Sequence, residues 1–200
     1  TRDPRSVVSS SKMGAGNYPI IYLARQWRKQ FLIAKWLKER YPDNIIVIKY
    51  EDLCSNTHEI INSVIDFSCG KQFLREFTNL VPTTEDGNAN WIQNSSYGNK
   101  NETATNTRSI EAWREHLTQS EILWTEALTY LNDSPYHMGA NDISFYNSID
   151  IETYPRRDLK KVSNWIMNIC DQLEQKNLVD QLNYEQMRLK MLKNGLVIEP

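Results

Sequence analysis

The run Ile45-Ile46-Val47-Ile48 constrains this chain more than any other stretch. Four β-branched aliphatic residues in succession pack poorly on a helix and offer no polar face to water, so they predict a short strand buried on both sides. The sequence before it is helical: Ile20, Leu23, Ala24, Trp27, Phe31, Ala34 and Leu37 recur at three- and four-residue steps and stop before Tyr41-Pro42-Asp43-Asn44. The sequence after it is helical too, with Ile60, Ile61, Val64, Ile65 and Phe67 on one pattern. Helix, turn, buried strand and helix is the alternation of an α/β protein, whose parallel sheet carries helices on both faces.

In such a protein, ligands sit beyond the carboxyl ends of the strands. Tyr50, Glu51 and Asp52 fall there; the alternative is that Glu51 and Asp52 cap the next helix while Tyr50 packs. The opening stretch, Thr1 to Lys12, has its own logic. Asp3 is a good N-cap, Pro4 suits the first helical position, and Arg5 to Lys12 continue the helix. A helix N-terminus favours anions. Arg2 stands just ahead of it and Ser10 about two turns along, so both can grip one phosphate, with Ser6, Ser9 and Ser11 as ordinary helix surface.

Residues 83–108 are rich in Asn, Thr, Ser and Gly and read as a long loop. Inside it, Ser95, Ser96 and Tyr97 set hydroxyls beside an aromatic ring, a combination that suits a purine base. Arg108 closes the loop just before a Trp113 helix, where a second phosphate contact is natural. Thr118 and Glu121 form a capping box, with Leu117 and Ile122 at staple spacing. Residues 142–155 read as a break, and Leu159, Val162, Ile166, Ile169, Cys170 and Leu173 pattern a further helix. The expected division is residues 1–145 as the main domain and 146–200 as a helical extension.

Composition narrows the class. With 200 residues, 40% of them hydrophobic, a sizeable core is within reach. A net charge of -2 excludes binding that depends on a global basic field, so nucleic acid is not expected as a partner. No run of 18 apolar residues and no leader-like stretch occurs, so no membrane segment is expected within the chain. Cys54, Cys69 and Cys170 lack zinc spacing and read as small buried hydrophobes, and no metal is expected.

The order and spacing of Arg2-Asp3-Pro4-Arg5 to Ser10, Tyr50-Glu51-Asp52-Leu53, Ser95-Ser96-Tyr97 and Trp113-Arg114 to Leu117 resemble the PAPS-dependent sulfotransferases over roughly residues 1–140. The resemblance implies a P-loop-kinase-like α/β fold. It also implies a donor, 3′-phosphoadenylyl sulfate, leaving as 3′-phosphoadenosine 5′-phosphate, with Arg2 and Ser10 on the 3′-phosphate. Tyr50 and Ser95 to Tyr97 would lie around the adenine, with Arg108 as a further phosphate ligand. Where the cytosolic branch has Arg-Lys-Gly seven residues before the tryptophan, this chain has Asn106, with its arginine at 108. That shifts the resemblance towards carbohydrate-type or bacterial relatives and makes a carbohydrate hydroxyl or amine the expected acceptor.

The family's first strand, its phosphosulfate loop and its usual catalytic base precede the Arg-Asp-Pro-Arg segment. The expectation is therefore a C-terminal portion, inactive alone, whose catalytic residues lie before residue 1. His58, His116 and His137 are not substitutes for that base. The compartment stays open between the cytoplasm and, with an anchor upstream, the Golgi lumen. Two other readings stand beside this one: a non-catalytic binding module that keeps the fold, and a fragment of a P-loop nucleotide kinase.

Overall fold

The computed structural model describes residues 1–14, 17–71, 108–131, 134, 136, 143–156 and 177–196. Helix α1 runs Pro4–Met13, α2 Ile20–Arg40, α3 Tyr50–Ser55 and α4 Thr57–Cys69. After the polar segment come α5 (Arg108–Glu111), α6 (Trp113–His116), α7 (Gln119–Thr129) and α8 (Ile143–Asn147). A 3₁₀ turn, Ile151–Thr153, and a last helix, α9 (Leu178–Lys193), complete the described elements.

The local rules account for the starts. Asp3 caps α1 by accepting from Arg5 N at 2.8 Å, with Pro4 at the first position. Both halves of the Thr118–Glu121 capping box are made, at 3.2 Å and 2.8 Å. Gly70 ends α4 at φ 93°, a left-handed backbone that a side chain would resist. The long helix expected to stop before Tyr41 is found, running to Arg40.

One core binds these helices. Ile20, Ile21 and Ala24 of α2 meet Trp124, Ala127 and Leu128 of α7, and Leu182, Leu189 and Leu192 of α9 close the other side. The break expected over 142–155 instead contains α8 and the 3₁₀ turn, with Ile143, Tyr146, Ile149 and Tyr154 buried in the same core. Four buried residues at steps of three, three and five give a segment with too few turns to show a period. Tyr154 is tied in by its hydroxyl, which accepts from Ile21 N at 3.1 Å. The helix expected around 159–173 lies outside the described residues.

The expected strand is not formed among the described residues. Residues 45–49 run without regular structure and stay half-exposed. A strand needs a neighbour, and this segment finds only one rung of it: the Thr1 amine donates to Ile48 O at 2.6 Å and Tyr50 N donates to Thr1 O at 2.8 Å. One residue bonded to the two flanking a third is the slanted pattern of a parallel ladder. Among the described residues the architecture is therefore helix packed on helix, with a single parallel rung where the sheet was expected. No described helix is long and apolar enough to cross a membrane.

Two smaller expectations also change. Ser6 and Ser9 are wholly buried at 0% exposure, not surface. Ser6 Oγ donates to Ile110 O at 3.1 Å, and Ser11 Oγ accepts from Tyr18 N at 3.0 Å, because α1 lies inside the helical layer rather than on it. Cys54 is buried as expected, but Cys69 is exposed at the last position of α4; Cys170 lies outside the described residues.

Candidate functional site

The rung at Thr1 places residues 1–3 against the start of α3, and this junction carries the candidate site. Trp27 Nε1 donates to Arg2 O at 2.8 Å and Asp3 N donates to Glu51 Oε1 at 2.8 Å, so the peptide unit after Arg2 is held at both ends, while Thr1 O in the unit before it accepts from Tyr50 N. Glu51 Oε2 also accepts from the Tyr136 hydroxyl at 3.2 Å. Trp27 stacks on Phe31 at 5.2 Å between centroids and meets Tyr136 edge-on at 5.7 Å.

From that fixed backbone the Arg2 guanidinium extends over the Tyr50 ring, 4.9 Å from its centroid, and its Nη2 donates to Ser109 O at 3.0 Å. The Tyr50 hydroxyl lies 3.2 Å from Ser109 Oγ. Burial raises the Tyr50 phenol above its ordinary value of 10.0, against the opposing pull of the Ser109 hydrogen bond and the Arg2 charge. Arg2 Nε is buried and has no hydrogen-bond partner among the described residues. An orphaned guanidinium N–H in a closed site costs free energy unless an acceptor is supplied.

The second arginine of the opening segment does a different job. Arg5 is 4% exposed; it bonds Asp3 through Nε at 3.0 Å and Nη2 at 2.5 Å, and Glu126 through Nη1 at 3.2 Å. Its guanidinium also lies 3.9 Å from the Trp113 ring centre. Desolvation raises the Glu126 carboxyl, while Arg5 and a 3.1 Å bond from the Tyr146 hydroxyl act to lower it. The N-terminus of α1, expected as an anion site, is thus filled by the Asp3 carboxylate. An exogenous anion would meet a negative cap there, so the positive charge at this junction is carried by Arg2 over Tyr50 and by Lys49 near the Tyr136 ring.

The structure brings Arg2 and Tyr50 into contact. Ser10 is half-buried, one turn past Ser6 on the side of α1 that faces α5. Arg108 opens α5, the helix whose next residue, Ser109, receives Arg2. Ser95, Ser96 and Tyr97 lie outside the described residues. Sequence reasoning put Glu51 beside Tyr50 at the site but missed Trp27 and Ser109 as its supports. Trp27 reads as one more core residue of α2, and nothing in a linear pattern shows that its indole N–H reaches back 25 residues to a carbonyl. Among the described residues no group of three His, Cys, Asp or Glu side chains is placed to hold a metal ion.

The Arg2 guanidinium is thus held on the Tyr50 ring at the junction of α1, α3 and α5. The family description "sulfotransferase domain" matches residues 22–127, more than half of the chain, and the chain belongs to that family. The match takes in Tyr50, Ser95 to Tyr97 and Arg108, and begins after Arg2 and Ser10. No curated protein and no solved structure matches it. Membership assigns the chain to sulfuryl transfer in general terms; the family implies a P-loop-like α/β fold, whereas the described residues form no strand.

Proposed function

We propose that this protein acts in sulfuryl transfer from 3′-phosphoadenylyl sulfate to a hydroxyl or amine of a carbohydrate acceptor, and that these residues hold the nucleotide end of the donor. Arg2 and Ser10 would take the 3′-phosphate, Tyr50 with Ser95 to Tyr97 the nucleoside, and Arg108 a further phosphate oxygen. The observation that carries this reading is the buried, orphaned Nε of Arg2 above Tyr50. A phosphate oxygen there would satisfy it with a charge-assisted bond. The bound donor supplies the activated sulfur: its S–O bond to the leaving phosphate breaks as the acceptor oxygen or nitrogen forms the new bond and gives up its proton to a base. Positioning and charge neutralisation dominate such transfers, as they do at phosphorus. Trp27 and Glu51 position Arg2 by holding its flanking backbone.

The 3′-phosphate is what distinguishes this site from a general adenine nucleotide pocket. Calorimetry with 3′,5′-adenosine diphosphate and with 5′-adenosine monophosphate isolates it. The 3′-phosphorylated nucleotide should bind at least about tenfold more tightly, and Arg2→Ala should remove most of that difference, about 1.5 to 3 kcal/mol. Equal affinity for the two nucleotides, or a difference untouched by Arg2→Ala, removes Arg2 from the site.

A further inference from the structure

Helix α2 is used on two opposite sides. At about 100° per residue, Trp27 and Phe31 point to one side, towards Arg2 and Tyr136, while Arg25, Lys29, Leu32, Ile33 and Trp36 point to the other. That second side and the C-terminal half of α9 enclose a cleft of about 780 Å³. Its apolar wall is Leu32, Ile33, Trp36, Leu131 and Leu192. Ile33 is 41% exposed and Trp36 54%, so the cleft leaves large apolar side chains open to water.

Its charge is unbalanced. Arg25, Arg28 and Arg188 converge on one carboxylate, Glu185: Arg25 Nε to Oε1 at 2.8 Å, Arg28 Nη1 and Arg188 Nε to Oε2 at 2.5 and 2.8 Å. Lys29 adds a fourth cation at the exposed mouth, and none of the described residues that line the cleft is acidic. Three arginines thus share a single carboxylate, and Lys29 is a further cation on the same cleft. Burial and the charge of Arg28 pull Arg188 down to about 10, as expected for cations short of counter-charge. A site divided between an apolar wall and excess positive charge fits a ligand divided the same way.

We propose that this cleft binds a monomeric amphipathic anion, its aliphatic or aryl body on Ile33, Trp36 and Leu192 and its carboxylate, sulfate or phosphate head between Arg25 and Lys29. The site lies across the thickness of α2 from Arg2 and does not rest on the sulfotransferase reading. Residues 157–176 of the chain itself are a poorer occupant, since they carry four basic and three acidic side chains and would add positive charge.

Octyl sulfate below its micelle concentration is a suitable probe, titrated into the full chain by calorimetry beside octyl glucoside and sodium sulfate. Octyl sulfate should saturate one site, at least about tenfold more tightly than octyl glucoside, with no saturation by sulfate alone. Lys29→Glu should weaken it about fivefold or more, and Ile33→Asp, at an exposed position, should abolish it with the thermal unfolding unchanged. Trp36→Ala provides a second apolar deletion should Ile33→Asp disturb the helix. Equal binding of octyl glucoside, saturation by sulfate, wild-type binding by all three variants, binding only to anionic lipid vesicles, or no saturable binding at all would each overturn the proposal.

Discussion

The Arg2 guanidinium sits over the Tyr50 ring at 4.9 Å, and the Tyr50 hydroxyl meets Ser109 Oγ at 3.2 Å. One aromatic side chain therefore orients the cation and ties it to the start of α5. Tyr50→Phe keeps the platform and loses the hydroxyl, and should cost about 1 kcal/mol in urea unfolding. Tyr50→Ala should cost more and loosen nucleotide binding, because the cation–ring contact, worth about 0.5 to 1 kcal/mol, goes with it. Burial holds the phenol neutral beyond its ordinary range. An alkaline absorbance titration should accordingly lose one late-titrating tyrosine in Tyr50→Phe.

Arg5 should behave as a structural cation, in contrast to Arg2. Removing it strands the Asp3 and Glu126 carboxylates inside the helical layer, so Arg5→Met should lose about 3 to 5 kcal/mol of stability at neutral pH. The sign with pH follows from the stranded acids. Burial already raises the Glu126 carboxyl and Arg5 opposes that rise, so without Arg5 it binds protons more readily in the folded than in the unfolded chain, and the deficit of the variant should shrink as pH falls from 7 towards 5. Denaturation midpoints of variant and wild type at the two pH values check this; a deficit that widens on acidification contradicts it.

Glu185 predicts the acid limb of the stability curve. Burial would raise its carboxyl, but hydrogen bonds and charge from Arg28, the charge of Arg188 and a bond from Arg25 hold it at about 2, below an ordinary 4.5. A carboxyl depressed in the folded state contributes fully above about pH 4.5, and that contribution drains away as pH falls towards 2. Stability of the wild type should fall across that window by about 3 kcal/mol. Glu185→Gln should be less stable than wild type at pH 7, with a flatter acid limb. An acid limb identical in the two proteins would show that other carboxylates set it.

Much of this was legible in local sequence. The Asp3 cap, Pro4 at the first turn, the Thr118–Glu121 box and the period of α2 rest on contacts within four residues, and all are found in place. The 45–48 run was readable only as a preference. Whether β-branched residues become a strand depends on a neighbouring backbone, and here the described residues supply a single rung at Thr1. The buried α8 and 3₁₀ turn were invisible for the opposite reason, since their few apolar residues acquire meaning only from the wall they meet.

The family and the helix starts were legible in residue order alone, the family because several motifs fall in its order and the starts because each rests on contacts within four residues. Tertiary structure decided which arginine does what. Arg2 and Arg5 are three residues apart and chemically identical, yet Glu126 and Trp113 enclose Arg5 while Tyr50 and Ser109 leave Arg2 with a buried donor to satisfy. Only folding brings those distant carboxylates and rings to one arginine and withholds them from the other, and charge neutralisation follows distance, not position in the chain.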